Sequence, residues 1–540
     1  MEKVKLSLKE RLRETVSGLL GRRRLIGQVK KIFRRRRPAP VQGGKKVLFF
    51  PLGYFEVALT WELTLMKALE GRGHECRNFL CDLPLPMCEL RLIDSDTPAI
   101  CRNCSQKSAA LFAAAGYRPF LASKYVNQDD ALKAAALLPA EDDRLKDFVY
   151  EGLRFDDVIK ASLLHYLRIG REQPTAEYYA AYRRLLISAL LIHWAQARLL
   201  DEYRPDVVVV INGLFYPGML LVEHAKKRGI RHITYERGYL IDRLVFSDTT
   251  PVVWFPIDKA WEKWRDKPLT AAENKVLDDY LDERMYGKRS EIKLWDKPDF
   301  NRPEFLAKYN VRKYRRVLAL FTNVLWDSAV VGCDESFPSI FDWLKAVIGQ
   351  IGARPDTLLF IRVHPAELKP RHLASREKVA DFLAREYPQL PPNVVVIGPE
   401  EPTSSYMIME LADGVLVNTS ITGLEAACKG KPVIVAGKTH YKNKGLTIDA
   451  RDQKEFAAAL AALCDGRELI KPAQAVETAR RYAYTFFFRY MIDFPFFAQH
   501  LRVHNPVLLK YRSVAELQPG ANASLDAICS FILGEKGLWE

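Results

Sequence analysis

The stretch VNTSITGLEAACKGKPVIVAG, Val417 to Gly437, reads as the end of an apolar strand, a hydroxyl-rich turn, a short helix carrying Glu425, a Gly-Lys-Pro break and a second apolar strand. In that order these pieces build a parallel βαβ unit, whose ligands collect beyond the carboxyl ends of the strands. Thr419, Ser420 and Thr422 fall where strand gives way to helix, so backbone N–H groups and hydroxyls converge on one point. A helix start of this kind attracts anions, phosphate above all. Gly423 permits close approach, and Glu425, one step into the helix, is placed to accept hydrogen bonds from ribose hydroxyls. The same residues also satisfy an ordinary helix cap with Glu in the first turn.

Upstream, IRVHPAE (Ile361 to Glu367) ends another strand. Alternation along a strand sends Arg362 and His364 the same way, toward the same edge as the hydroxyl turn. Arg suits a diphosphate or a carboxylate, and His can bond a base or phosphate. Strands RRVLALF, TLLFIR, NVVVI, GVLV and KPVIV alternate with helices, which is the pattern of a doubly wound sheet. The pattern occurs a second time nearer the N-terminus, in KKVLFFPLGY, ECRNFLCD, RPDVVVVING and IRHITYERGY. There Glu56 and Glu236 follow strands, as does Asn212-Gly213. A transfer reaction needs a carboxylate or His within reach of an acceptor hydroxyl, so Glu56 and Glu236 are the candidates for a general base.

The formal charge of +15 looks like a nucleic-acid signal until it is located. Sixteen Lys and Arg against three Glu stand before Val47, so +13 of it belongs to the N-terminal tail and the body is nearly neutral. Charge confined to a tail ranks nucleic acid last among partners. Leu8, Leu12, Val16, Leu19, Leu20, Leu25, Ile26, Val29, Ile32 and Phe33 add an apolar stripe at helical spacing. A cationic amphipathic helix suits an anionic bilayer surface; a solvated tail or partner-binding helix is the alternative. No apolar run is long enough to span a membrane, and no secretory signal follows the charges. Nine cysteines at uneven positions argue for a cytoplasmic setting. Four of them, Cys81, Cys88, Cys101 and Cys104, fall close together and could bind structural zinc, although buried unliganded thiols or a redox or cluster role fit as well.

The series FTNVLWDS, IRVHPAE, SSYMIMELADGVLVNTSITGLEAACKGKPVIVAGKTHYKNKGLT and YAYTFFFRYM, with NGLFYP, YERGY and GRGHE, resembles the bacterial capsule polysaccharide biosynthesis proteins over roughly residues 45–530. The resemblance implies an α/β fold of GT-B type, two doubly wound Rossmann-like domains facing a central cleft. Its expected parts are a basic tail (1–44), an acceptor-side domain (45–255) with a cysteine-containing insertion (81–104), a helical connector (256–310), a nucleotide-sugar-binding domain (311–465) and C-terminal helices packing back across the domains (466–540). It further implies a glycosyltransferase that extends a surface glycan, with the donor near Arg362, His364, Ser420, Thr422, Gly423 and Glu425 and no metal in the chemistry. Expected partners are a nucleotide sugar, a glycan or lipid-linked acceptor, polysaccharide assembly proteins and the inner face of the plasma membrane. No E-x7-E pair marks a retaining enzyme, so stereochemistry stays open. Nucleotide-sugar epimerisation or hydrolysis, or a non-catalytic assembly or export factor, are the competing functions.

Overall fold

The structure, a computed structural model, describes residues 21–33, 41–51, 56–83, 85–285, 299–368, 373–498 and 507–539. The expected apolar positions from Leu8 to Leu20, and the loop residues 52–55, lie outside them. The chain forms two compact units: residues 1–166, 174–255 and 491–540 make one, and residues 167–173 and 256–490 the other. The connector helix Ala271–Met285 therefore belongs to the second unit, and the last fifty residues return to the first.

The first unit is built on strands β1 (Lys46–Phe50), β2 (Glu75–Leu80), β3 (Phe120–Leu121), β4 (Val207–Ile211), β5 (Arg231–Arg237) and β6 (Arg243–Ser247). They lie in the order β3-β2-β1-β4-β5-β6, with a short strand, Ile492–Asp493, added at the β6 edge. Pairing is parallel from β3 through β5 and antiparallel beyond. All five residues of β4 are buried, which is why it is a run of β-branched side chains and shows no alternation.

Helix Glu56–Glu70 is covered on nearly every side. The reason is that two distant pieces of chain pack with it in one core: the C-terminal helix Ala523–Leu533, and the basic N-terminal segment. Residues 21–32 are helical. Leu25, Val29 and Phe33 are 1%, 0% and 7% exposed, with the Phe33 ring 6.2 Å from Tyr511. Gln28 Oε1 accepts from the Leu509 N–H at 3.2 Å. The apolar stripe over these residues is thus part of the unit's core, a correction to the expectation of a free tail with its apolar side available to lipid. Arg23, Arg24, Lys30 and Lys31 remain on the exposed side.

The second unit has strands β7 (Arg316–Phe321), β8 (Thr357–Arg362), β9 (Val394–Ile397), β10 (Gly414–Val417), β11 (Val433–Val435) and β12 (Ile448–Asp449), all parallel, in the order β9-β8-β7-β10-β11-β12. Helix Ile340–Gly352 buries Ile340, Leu344, Val347 and Ile351 on one stripe against this sheet. A short piece from earlier in the chain is stitched on: the Gly170 N–H and the Arg171 guanidinium both donate to the Glu377 carboxylate, at 2.9 and 2.8 Å.

Because Leu25 is a core residue, Leu25→Ala should cost the first unit about 2–5 kcal/mol. Arg24→Ala should cost under about 0.5 kcal/mol, as for an exposed site. Urea denaturation followed by a probe in the first unit measures both; equal, small effects would return the segment to the status of a tail.

Candidate functional site

In a doubly wound sheet, ligands bind at the carboxyl edge where the strand order reverses. In the second unit that point lies between β7 and β10, paired in register with Phe321 opposite Val417. The hydroxyl turn quoted above follows β10, so it stands at the reversal. Three loops meet there. The Thr322 hydroxyl, just after β7, accepts from the His364 N–H at 3.0 Å, which ties in the loop after β8. Asn323 Oδ1 accepts from the Thr419 N–H at 3.4 Å, which ties in the loop after β10.

Within the turn, the Ser420 hydroxyl accepts from the Thr422 N–H at 3.3 Å and donates to the Thr422 hydroxyl at 3.1 Å. Its carbonyl accepts from the Tyr441 hydroxyl at 2.6 Å and from the Gly423 N–H at 3.1 Å. The adjacent amides of Ser420 and Ile421 find no acceptor among the described residues, and both residues are half-buried. Helix Thr422–Cys428 is seven residues long, so these two N–H groups and the hydroxyls matter more than its dipole.

His364, tied to the same crevice through Thr322, is half-buried. Its Nδ1 accepts from the Ala366 N–H at 3.1 Å, which assigns the ring proton to Nε2. Burial first, and then the Arg362 charge, pull its pKa down from 6.5 to about 4, so near pH 7 the ring is a neutral N–H donor. No described residue partners Nε2.

Other expected donor residues are committed elsewhere. Arg362 is 2% exposed, and its guanidinium donates to the carbonyls of Gly398 at 2.5 Å and Glu401 at 3.0 Å. Burial lowers its pKa to about 10. It braces the loop after β9 instead of meeting a diphosphate. Glu425 is 1% exposed and accepts from Arg284 Nε and from the Tyr406 hydroxyl, the latter at 3.0 Å. Its carboxylate joins the connector helix to the sheet domain instead of facing ribose. Gly423 is also required by the protein itself: a Cβ there would sit 2.5 Å from the Tyr441 hydroxyl and 2.9 Å from Val417 Cγ2. Thr322, Asn323 and Tyr441 were not singled out as site residues; the strand-then-FTN pattern of β7 is the signal that could have found the first two.

At the carboxyl edge of the first unit, Glu236 is the penultimate residue of β5. Its carboxylate accepts from the Asn212 side-chain amide at 3.2 Å and from the Arg237 N–H at 3.0 Å. Asn212 and Gly213 both have positive φ, 65° and 84°, which turns the chain sharply after β4 and brings Asn212 toward Glu236. Glu56 is not in the loop after β1 as expected. It is the first residue of helix Glu56–Glu70, where the helix dipole favours an acid, and it pairs with Arg22 Nε at 2.5 Å. Cys81, Cys88, Cys101 and Cys104 are free thiols that line one cavity. Among the described residues no three His, Cys, Asp or Glu side chains are grouped as the ligands of a single metal ion.

Two outcomes follow from these pairings. Glu425→Ala removes a buried carboxylate that bonds both Arg284, only 20% exposed, and Tyr406, and should destabilise the second unit by about 2–3 kcal/mol in urea denaturation, the buried-pair cost discounted for that exposure. Between pH 6.5 and about 4 the unfolded chain takes up a proton that folded His364 refuses. The second unit should therefore lose stability as pH falls through that window, and His364→Gln should make the loss shallower.

Residues 272–464 match the family model described as capsule polysaccharide biosynthesis protein. No curated protein sequence matches the chain. Among solved structures, the chain is similar to the Thermosulfurimonas dismutans KpsC β-Kdo 2,4-transferase at 18% identity and TM-score 0.36, covering 54% of this chain and 81% of that one. It is similar to the β-Kdo 2,7-transferase of the same KpsC at 14% and 0.34, over 55% and 82%. The UDP-GlcNAc 2-epimerase of Neisseria meningitidis is similar at 11% and 0.23, over 81% and 97%. None of these structural likenesses is strong enough to transfer a role to a residue. The family match falls entirely within the second unit: residues 272–464 of this chain carry the pattern of the capsule polysaccharide biosynthesis proteins.

Proposed function

We propose that the chain is a glycosyltransferase that moves a sugar from a nucleotide-sugar donor to a growing surface glycan. The observation that carries this reading is the reversal point of the second unit. There the Ser420 and Ile421 amides, the Ser420 and Thr422 hydroxyls and the neutral His364 ring gather at one strand edge, inside the segment that matches the capsule family. Backbone amides beside hydroxyls suit the phosphates of a nucleotide, and a neutral imidazole N–H adds a donor without adding charge. Stabilising the departing phosphate with fixed donors is the largest contribution a protein can make to such a transfer.

The acceptor reading assigns the carboxyl edge of the first unit to the incoming glycan or lipid-linked glycan. Of the two proposed bases, Glu236 has the better position. Its carboxylate stands at the carboxyl end of a strand, bonded by the Asn212 amide and the Arg237 N–H, whereas that of Glu56 opens a helix and is engaged by Arg22. A general base must reach a hydroxyl proton, and the carboxyl ends of the strands are where a doubly wound sheet presents its ligands. Membrane association, at the inner face of the plasma membrane and alongside assembly proteins, belongs to the same proposal. No helix of the described residues is long and apolar enough to cross a membrane. With Leu25, Val29 and Phe33 buried, contact through residues 21–33 would be electrostatic, through Arg23, Arg24, Lys30 and Lys31.

The test is release of nucleotide from a panel of nucleotide sugars in the presence of acceptor glycans. Turnover is expected with at least one donor, and His364→Ala should lower kcat/KM about 10- to 100-fold, the worth of one hydrogen bond to a charged group. Glu236→Gln should depress kcat by about 100-fold or more, while Glu56→Gln has a small effect. No turnover with any donor would reject the reading. Liposome flotation with anionic vesicles should weaken when Arg23, Arg24, Lys30 and Lys31 are all changed to Glu; deletion of residues 1–44 is the wrong comparison, since it removes core side chains.

A further inference from the structure

The four clustered cysteines are not used by the proposed transfer, yet the fold brings them together from three separate elements. Cys81 directly follows β2, Cys88 precedes a short helical turn (Glu89–Arg91), and Cys101 and Cys104 are three apart, hence on one face, in helix Pro98–Ala114. All four line one cavity of about 60 Å³, with Phe50, Leu80, Leu85, Ile100, Ile192 and Tyr216 among its apolar walls. Phe50 ends β1 and Tyr216 begins the helix after β4, so the cavity lies at the reversal point of the first unit's sheet.

Two further groups stand at this cavity. Glu89 is fully buried, 3.7 Å from the Cys88 sulfur, and its Oε1 has no hydrogen-bond partner. A buried carboxylate oxygen with nothing to accept from is costly unless a proton or a cation resides nearby. Arg91, 5% exposed, is fixed by the carbonyls of Leu85 and Pro86 and by Asp96, with its charge acting on the Cys101 sulfur. Burial among these apolar walls favours the neutral thiols. A bound cation reverses that balance: thiolates become its ligands and each releases a proton to solvent.

We propose that Cys81, Cys88, Cys101 and Cys104 together ligate one metal centre that clasps residues 81–104 to the sheet edge. Between Leu85 and helix Pro98–Ala114 the segment has only two short helical turns, Glu89–Arg91 and Ile93–Ser95, and the proposed centre would crosslink the end of β2 to that helix across them. Four thiolates are the ligand set of both structural zinc and cubane iron–sulfur clusters. The four sulfurs share one cavity, although among the described residues no three ligands are grouped around a single-ion position. The proposal does not rest on the transferase reading.

The test uses the full chain purified without oxygen, with iron, acid-labile sulfide and zinc quantified and the visible spectrum recorded. Iron and sulfide in equal amounts, with broad absorbance in the visible, assign a cluster; stoichiometric zinc without sulfide assigns a zinc site. Either should persist in Cys333→Ser, a cysteine outside the cavity, and vanish in Cys101→Ser/Cys104→Ser. Should that variant not fold, alkylation of the native protein decides: four thiols should be protected until the metal is removed by a chelator or by oxidation. A chain that holds neither metal after purification, after reconstitution with ferrous iron and sulfide, and after incubation with zinc, overturns the proposal.

Discussion

Strands β7 and β10 lie side by side and parallel, but the chain leaves them toward opposite sides of the sheet, to β8 on one flank and β11 on the other. No crossover can cover both strand ends at once, so backbone amides and short polar side chains are left facing a crevice. The second unit is arranged around that vacancy in covering chain. Thr322 and Asn323 stitch its three loops, and Tyr441 reaches back to the Ser420 carbonyl and fixes the turn from behind. The first unit repeats the strand order, and its own reversal point, between β1 and β4, has the cysteine cavity beside it.

Charged residues that look functional in the sequence divide by what burial does to them. Arg362 and Glu425 are too deep to remain available: a charge removed from water must be matched by the protein, and here backbone carbonyls match one while Arg284 and Tyr406 match the other. Both therefore fix the frame of the site from outside it. His364 is shallower and already neutral, so it can keep one ring nitrogen unspent. A side chain with a remaining donor at a strand end is what a ligand requires.

The N-terminal segment shows the same logic on a larger scale. Its charge count and its apolar stripe are compatible with a lipid surface, yet residues 21–33 place Leu25, Val29 and Phe33 in the core that also takes in helix Ala523–Leu533. Residues 21–33 and helix Ala523–Leu533 thereby share one core with helix Glu56–Glu70 and contribute to its near-complete burial.

Periodicity in the sequence was enough to establish the two parallel α/β units, because β-branched runs such as Val207–Ile211 have few other solutions, and to place the hydroxyl turn after a strand of the second one. It also located Glu236 at a strand end and grouped the four cysteines. What periodicity could not contain was partnership at long range. Arg284 lies more than a hundred residues from Glu425, Arg22 pairs with Glu56 across a strand, and Leu25 shares one core with the C-terminal helix. Local sequence fixes which way a side chain leaves the backbone, but whether it arrives at solvent, at a ligand or at a buried partner is decided by which distant segment packs over it, and only the tertiary structure holds that information.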